Sequence, residues 1–222
     1  MAMPSKLNQI QIETIKQILT LRYSNNIETS EKLLPNTVQA TKSNDHEKFI
    51  EESIRKNISK KLGSNPKKIG LSLSSGVDST LVLALLRKEF PSCEIESVSV
   101  KFNDSVDETV ESKKIAEEFE TNHHILEVNN ILEELPKAIK IVKYPFWDLH
   151  WYYLVKKMKS LTNVFLSGDG GDELFGGYTF RYKKFLEQTS ENSTSEEKIV
   201  CYLNCHERDW VPDQELIFSK SS

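Results

Sequence analysis

Leu73-Ser74-Ser75-Gly76-Val77-Asp78-Ser79-Thr80 follows a short apolar run, Ile69 to Leu73, and leads into the apolar stretch Asp78 to Lys88. The run reads as a strand and the stretch as a largely buried helix, so the octapeptide joins a strand to a helix. Its small residues let backbone N–H groups point inward as an anion cradle, and the helix that follows adds the positive end of its dipole. Ser74, Ser79 and Thr80 contribute hydroxyls. Asp78 is misplaced beside an anion unless a cation lies between them, and Mg²⁺ bridging a carboxylate and phosphate oxygens resolves the conflict. A capped turn with Asp78 as N-cap is the plainer alternative for this loop alone. The Walker pattern and the Rossmann GxGxxG pattern are both absent.

A second loop has the same placement, between a strand pattern at Asn163 to Ser167 and a helix pattern at Tyr178 to Glu187. It reads Ser167-Gly168-Asp169-Gly170-Gly171-Asp172-Glu173-Leu174-Phe175-Gly176-Gly177-Tyr178. Its three crowded acids repel one another unless a cation or proton is shared. The surrounding glycines leave almost no side chains to shield them. An EF-hand does not fit the spacing. Taken together, the loops predict a nucleotide polyphosphate with Mg²⁺ held from opposite sides by Asp78 and Asp172.

Outward from these loops the pattern alternates. Asn44 and Asp45 offer a cap for a helix through Phe49, Ile54, Ile58 and Leu62, which Gly63 to Pro66 stops. Ile95 to Phe102 alternates as a strand. Ser105 and Glu108 give a capping-box signature for a helix to about Phe119. Ile125 to Val128 reads as a strand, Pro136 to Val142 and Leu149 to Lys159 as helices. Strand, helix, strand, helix predicts an α/β fold: a parallel sheet covered by helices on both faces, with ligands at the carboxyl ends of its strands. Residues 1–44 read as an extension with a helical stretch at Ile10 to Leu21 and a linker from Tyr23 to Asn44. Residues 45–188 form the predicted domain. Residues 189–222 read as a loop and tail, with Gln188 to Glu197 expected as a mobile loop.

The composition narrows the function classes. The chain has 222 residues, 38% hydrophobic and 28% charged, with formal net charge −4. That supports one ordinary α/β domain. A sequence pI near 5.8 and the lack of a dense basic face argue against a nucleic-acid partner. The longest apolar run, Leu81 to Leu86, is too short to span a bilayer, and Met1 to Ile10 carries no signal-peptide pattern. Three cysteines do not make a disulfide framework and fit reduced thiols in the cytoplasm.

The first loop resembles the pyrophosphatase loop of the N-type ATP pyrophosphatases, the PP-loop group, with its adenine-nucleotide-hydrolase-like fold. The second is similar to the signature of the asparagine synthetase family within that group, and the resemblance runs from about Asp45 to Glu187. Phe146, Asp148 and the helix after them fit it, and more weakly Thr20 to Pro35 resembles the family's connector. What the resemblance implies is an amide-forming ligase. A carboxylate, aspartate foremost, attacks the α-phosphorus of ATP to give an acyl-adenylate and pyrophosphate, and ammonia then displaces AMP. Carried over, Leu73 and Val100 would contact adenine, Ser74, Gly76, Asp78 and Ser79 would hold phosphates and metal, and Ser167 and Gly168 would line the nucleotide pocket. Asp172 would be the second Mg²⁺ ligand. Asp169, where many members have Glu, would deprotonate or orient the attacking nitrogen.

Three departures qualify the resemblance. Ser75 replaces the commoner second glycine, a variant the family also shows. The chain begins Met1-Ala2-Met3 without the catalytic cysteine of a glutaminase domain, so nitrogen is expected from free ammonia or a separate glutaminase subunit. The family's helical C-terminal region, with its pyrophosphate-binding lysine, is expected to be largely missing. Arg181, Lys183 and Lys184 could substitute, though a solvated helix face explains them better. A non-catalytic or partner-dependent nucleotide-binding subunit, or a PP-loop ligase acting on another small acid, stands as the alternative, and an oligomer is left open. Cys201, Cys205 and His206 suggest no complete metal site. His123-His124 reads as a sheet-edge pair preceding a strand. Trp147, Trp151 and Tyr152 fit an acceptor-pocket wall and aromatic core packing equally well.

Overall fold

A computed structural model of the protein describes residues 8–21, 45–103, 107–142 and 149–205. The chain divides into two compact units. One comprises Ala40–Ala138 and Asp148–Gly177, the other Met1–Gln39, Ile139–Trp147 and Tyr178–Ser222.

The first unit is built on a parallel sheet. Helix α2 (His46–Leu62) is capped at its start by Asp45, whose side chain accepts from the Lys48 N–H at 3.1 Å, and at its end by Gly63. Strand β1 (Lys68–Ser72) leads into α3 (Val77–Glu89), then β2 (Glu94–Phe102), α4 (Thr109–Glu118) and β3 (Asn122–Val128). Helix α5 (Leu135–Val142) runs across the boundary between the units. It is followed by α6 (Leu149–Leu161), β4 (Phe165–Leu166) and the single-turn α7 (Gly171–Phe175). The strand order is β3-β2-β1-β4, all pairs parallel.

Side-chain alternation along β1 and β2 makes two cores. Ile69, Leu71, Leu73 and Ile95 face α2, α3 and α4 and bury Ile58, Leu83, Leu86 and Ala116. Val98, from the opposite face of β2, packs on Leu154 and Met158 of α6, with Val100, Leu126 and Trp151 around them. Helices therefore cover both faces of the sheet.

In the second unit, α1 (Gln9–Leu21), α8 (Thr179–Gln188) and α9 (Ser195–Cys205) are the described helices besides the end of α5. Phe185 and Tyr202 meet edge to face with ring centroids 6.2 Å apart, joining α8 to α9.

Four expectations are corrected. Strand β4 is two residues, not Asn163 to Ser167, because it pairs with β1 only at Gly70–Phe165 and Leu71–Leu166. The mobile loop expected to Glu197 ends earlier. Thr194 and Glu197 cap each other's backbone N–H groups at 3.2 and 2.8 Å, and α9 begins at Ser195. At α4 the helix begins at Thr109, and Asp107 supplies the acceptor, bonding the Thr109 N–H at 3.0 Å and its hydroxyl at 2.5 Å. Ser105 of the expected capping box lies outside the described residues. His123 and His124 lie inside β3, the sheet's edge strand, rather than before it.

Candidate active site

The turn after β1 is organised by two serines. The Ser79 hydroxyl accepts from the Ser74 N–H at 3.1 Å, and the Ser74 hydroxyl accepts from the Gly76 N–H at 3.1 Å. Ser74 and Ser79 hydroxyls lie 3.0 Å apart. Gly76 caps α3 without a side-chain bond to the first-turn N–H groups, so the helix opens on backbone donors and on Asp78.

The second loop, the glycine-rich one, folds against this turn. Gly171 N–H donates to the Gly168 carbonyl at 3.2 Å, closing a turn that carries Asp169 and has Gly170 at φ 89°. A Cβ on Gly168 would sit 2.5 Å from the Ser79 nitrogen, and one on Gly171 would overlap the Asp78 carboxylate. Absent side chains at these two positions are what let the loops touch.

Between and beside the loops lies a cavity of about 320 Å³ at the carboxyl ends of β1 and β2. It is lined by Leu73, Ser74, Gly76, Asp78, Ser79, Val100, Ser167, Gly168 and Asp169, which are all but one of the sequence-predicted site residues. Asp172 is the exception. Its carboxylate packs on Gly177, where a Cβ would collide with Oδ1.

The cavity also has walls that sequence reasoning, Trp151 aside, missed. Glu108, Thr109 and Ser112 line it from the start of α4, and His150 and Trp151 from α6. Trp151 borders the cavity and also packs on the core. His150 and Trp151 rings are tilted against each other at 5.4 Å. Tyr152 turns elsewhere, donating to Glu134 at 3.1 Å. Trp147, Phe146 and Asp148 lie outside the described residues. Buried hydroxyls tie α4 to the loop: Ser99 donates to the Leu73 carbonyl at 2.6 Å and is bonded to Ser112 at 2.9 Å. Lys101 pairs with Asp107 at 2.6 Å, and together with the bonds from Thr109 this draws the Asp107 carboxyl down to about 2.

Arg181 stacks on the Tyr178 ring at 4.3 Å, and Lys183 is exposed beside Glu187 at 4.0 Å. Cys93, Cys201 and Cys205 are free thiols. Among the described residues no cluster of three or more metal-ligating side chains occurs, and no helix is long and apolar enough to cross a membrane.

The donor set fits a polyphosphate with a hard cation. It offers paired hydroxyls, a cradle that a Cβ would fill, an open helix start and a carboxylate at its mouth. Mg²⁺ keeps several waters and needs only one or two protein carboxylates, so a full protein cage is not required.

The family model for asparagine synthase matches residues 50–211, and the chain belongs to that family. A Methanocaldococcus jannaschii protein named as a glutamine-hydrolyzing asparagine synthetase, number 2, is 35% identical over 115 residues, covering 50% of this chain and 22% of that protein. The glutamine-hydrolyzing asparagine synthetase 1 of Bacillus subtilis is 31% identical over 116 residues, 50% of this chain and 18% of that one. The glutamine-hydrolyzing asparagine synthetase of Bos taurus is 28% identical over 183 residues, 74% of this chain and 30% of that one. The chain thus matches at most 30% of the length of these relatives. Among solved structures, the NH3-dependent NAD synthetase of Campylobacter jejuni aligns at 20% identity and TM-score 0.42 over 72% of this chain and 74% of that one.

Proposed function

We propose that the chain is the synthetase part of an ATP-dependent carbon–nitrogen ligase of asparagine synthetase type, AMP-forming, with aspartate as the carboxylate substrate. The observation that carries this is the meeting of the serine-rich loop after β1 with the glycine-rich loop after β4, where the Gly171 backbone abuts the Asp78 carboxylate at the edge of one cavity. Leu73 and Val100 would flank the adenine, and Ser74, Gly76 and Ser79 would donate to phosphate oxygens. Ser167 and Gly168 would complete the pocket floor. Asp78 would hold Mg²⁺, joined by Asp172 after its carboxylate leaves Gly177. The bound ion would supply charge neutralisation between the polyphosphate and these carboxylates.

The substrate carboxylate would form a bond to the α-phosphorus as the bond to the bridging oxygen breaks, releasing pyrophosphate. Ammonia would then attack the acyl carbon of the adenylate, AMP would leave, and Asp169 would take or orient the proton lost by nitrogen. Nitrogen would come from free ammonia or from a glutaminase, and the reaction is one of the cytoplasm.

ATP–pyrophosphate exchange tests this directly. Aspartate should stimulate Mg²⁺-dependent exchange above other small carboxylic acids. Exchange with none of them, in a protein that binds MgATP, would favour the second reading, a nucleotide-binding subunit that needs a partner. That reading is favoured by one observation: no lysine or arginine is among the described residues lining the cavity.

A further inference from the structure

Strand β3 stands at one edge of the sheet, and that edge is complementary to itself. The Leu73 N–H donates to the Val98 carbonyl, so Val98 points its backbone at β1, and Ser97 and Ser99 point theirs at β3. Ser97 lies opposite His123 and Ser99 opposite Ile125, so the β3 residues that bond β2 are the even-numbered ones. His123, Ile125 and Glu127 therefore turn their N–H and C=O groups outward, and among the described residues no strand lies beyond them. Their side chains stand on the α4 face of the sheet, because His123 Nδ1 is 2.8 Å from the Ser97 hydroxyl and Ser99 is bonded to Ser112 of α4.

Open edges are ordinarily blunted by lysine, proline, a bulge or a very short strand. Strand β3 has none of these. It reads Asn122-His123-His124-Ile125-Leu126-Glu127-Val128, and it pairs with β2 in unbroken register along its whole length. Ile125, at its centre, is 42% exposed.

We infer that β3 is a docking edge for a second copy of this chain, the two strands running antiparallel about a two-fold axis at Ile125. This register sets Ile125 against Ile125 and, on either side, His123 against Glu127 of the other copy. These are the pairs that exchange backbone hydrogen bonds, so every outward N–H and C=O of the strand finds a partner. A slip of one residue would oppose outward groups to inward ones, and a slip of two would set Ile125 against a polar residue. Charge favours the same register. Lys113 and Glu117 of α4, paired at 3.9 Å, and His124 are the charged or titratable groups acting on the His123 ring, and Lys113 outweighs Glu117 there. Each Glu127 carboxylate thus approaches a positive flank, beside a ring whose Nε2 is buried without a hydrogen-bond partner. A strand edge of this length buries less surface than a permanent dimer needs, so the association is reversible and depends on concentration.

The test is sedimentation of the whole chain from micromolar to millimolar concentration, with amide hydrogen exchange at both ends of the range. A dimer should form as concentration rises. The amides of His123, Ile125 and Glu127 should then gain more than about tenfold protection, while those already bonded to β2 change little. Glu127→Lys, at an exposed side chain, should raise the dimer dissociation constant about tenfold, the scale of two opposite-charge cross-strand pairs made repulsive. Adding Lys113→Glu should recover part of that loss. Ile125→Pro removes the central outward N–H without taking a bond from β2, and it should abolish the dimer. Where thermal melting shows that the proline variant misfolds, Glu127→Lys carries the test alone.

A chain that stays monomeric at millimolar concentration would overturn the inference. So would equal protection of the three amides at low and high concentration, which would mean that another part of the chain covers the edge. A dimer that forms as well in Glu127→Lys as in wild type would overturn it too. None of these outcomes touches the ATP reading, since neither Ile125 nor Glu127 is among the described residues lining the cavity.

Discussion

The Asp78 carboxylate lies so close to the Gly171 backbone that a Cβ there would fall 2.6 Å from Oδ1 and 2.7 Å from Oδ2. The two residues come from the small-residue segment after β1 and the glycine-rich segment after β4, and their contact brings the two together. Nothing in either loop is strongly apolar at that point, so the approach depends on the missing side chain. Gly171→Ala should push the carboxylate aside. Because Asp78 can rotate, the stability cost should stay near the low end of the roughly 1–3 kcal/mol of an overpacked site. MgATP affinity should fall more than tenfold. Thermal melting and calorimetry on the same preparation separate the two effects.

Asp78→Asn and Asp172→Asn should each weaken MgATP binding by about 1–3 kcal/mol, the scale of losing a charged partner. The two should differ in the absence of metal. Asp78 lines the cavity, so Asp78→Asn should improve binding of metal-free ATP. Asp172 packs on Gly177, so Asp172→Asn should leave it unchanged. Wild-type MgATP affinity in both variants would rule out a metal shared between the loops.

Much of this arrangement could be read from residues alone. Asp45 as a cap, the alternation in Ile95 to Phe102 and the small residues after Leu73 all act locally, and local signals are what a sequence displays. The contact of Glu108 with Ser75 is of another kind. It exists because β2 pairs with β1 in parallel, which sets the start of α4 beside the loop after β1. Neither residue's neighbours announce it. Helix α7 escaped for a different reason: Gly171 to Phe175 is a single turn bounded by glycines, too short to show a period. Helix α9 has a local signal of its own. Thr194 and Glu197 have the spacing of a capping box, and the polar run before them masks it with a composition typical of loops.

Glu96 should make acid stability depend on one buried carboxylate. Its side chain is 6% exposed, and burial by itself pushes the carboxyl up. Hydrogen bonds from His124 at 2.6 Å, Lys68 at 2.9 Å and Asn122 at 3.3 Å outweigh that and bring it from 4.5 to about 2. A carboxyl lowered on folding contributes stability that is complete above its unfolded value and is lost as pH falls through the folded one. The window is therefore about pH 4.5 down to about 2. The contribution above that window is roughly 3 kcal/mol. Urea unfolding of wild type and Glu96→Gln should show that gap at pH 7 and lose it as pH approaches 2. A gap independent of pH would mean that packing, not charge, sets the cost.

Asp169 is where the chemistry can be separated from binding. It lies in the turn closed by the Gly171 N–H on the Gly168 carbonyl, and it lines the cavity while Asp172, three positions on, does not. If Asp78 and Asp172 are committed to Mg²⁺, Asp169 is the carboxylate of this loop that lines the cavity and can manage a proton there, and its glycine neighbours leave room for an incoming nitrogen. Asp169→Ala should keep MgATP affinity within about twofold and slow amide formation by about 10²–10⁴-fold, the range for a positioned general base. Asp169→Glu should retain much of the activity, because either acid can accept the proton if its reach is right. Aspartate-dependent ATP–pyrophosphate exchange should survive Asp169→Ala, since adenylation precedes the step that needs the base. Loss of MgATP binding in Asp169→Ala would make Asp169 a structural or metal-holding residue. Loss of exchange with binding intact would move its role to the first half of the reaction, where the incoming carboxylate must be held in line with the α-phosphorus.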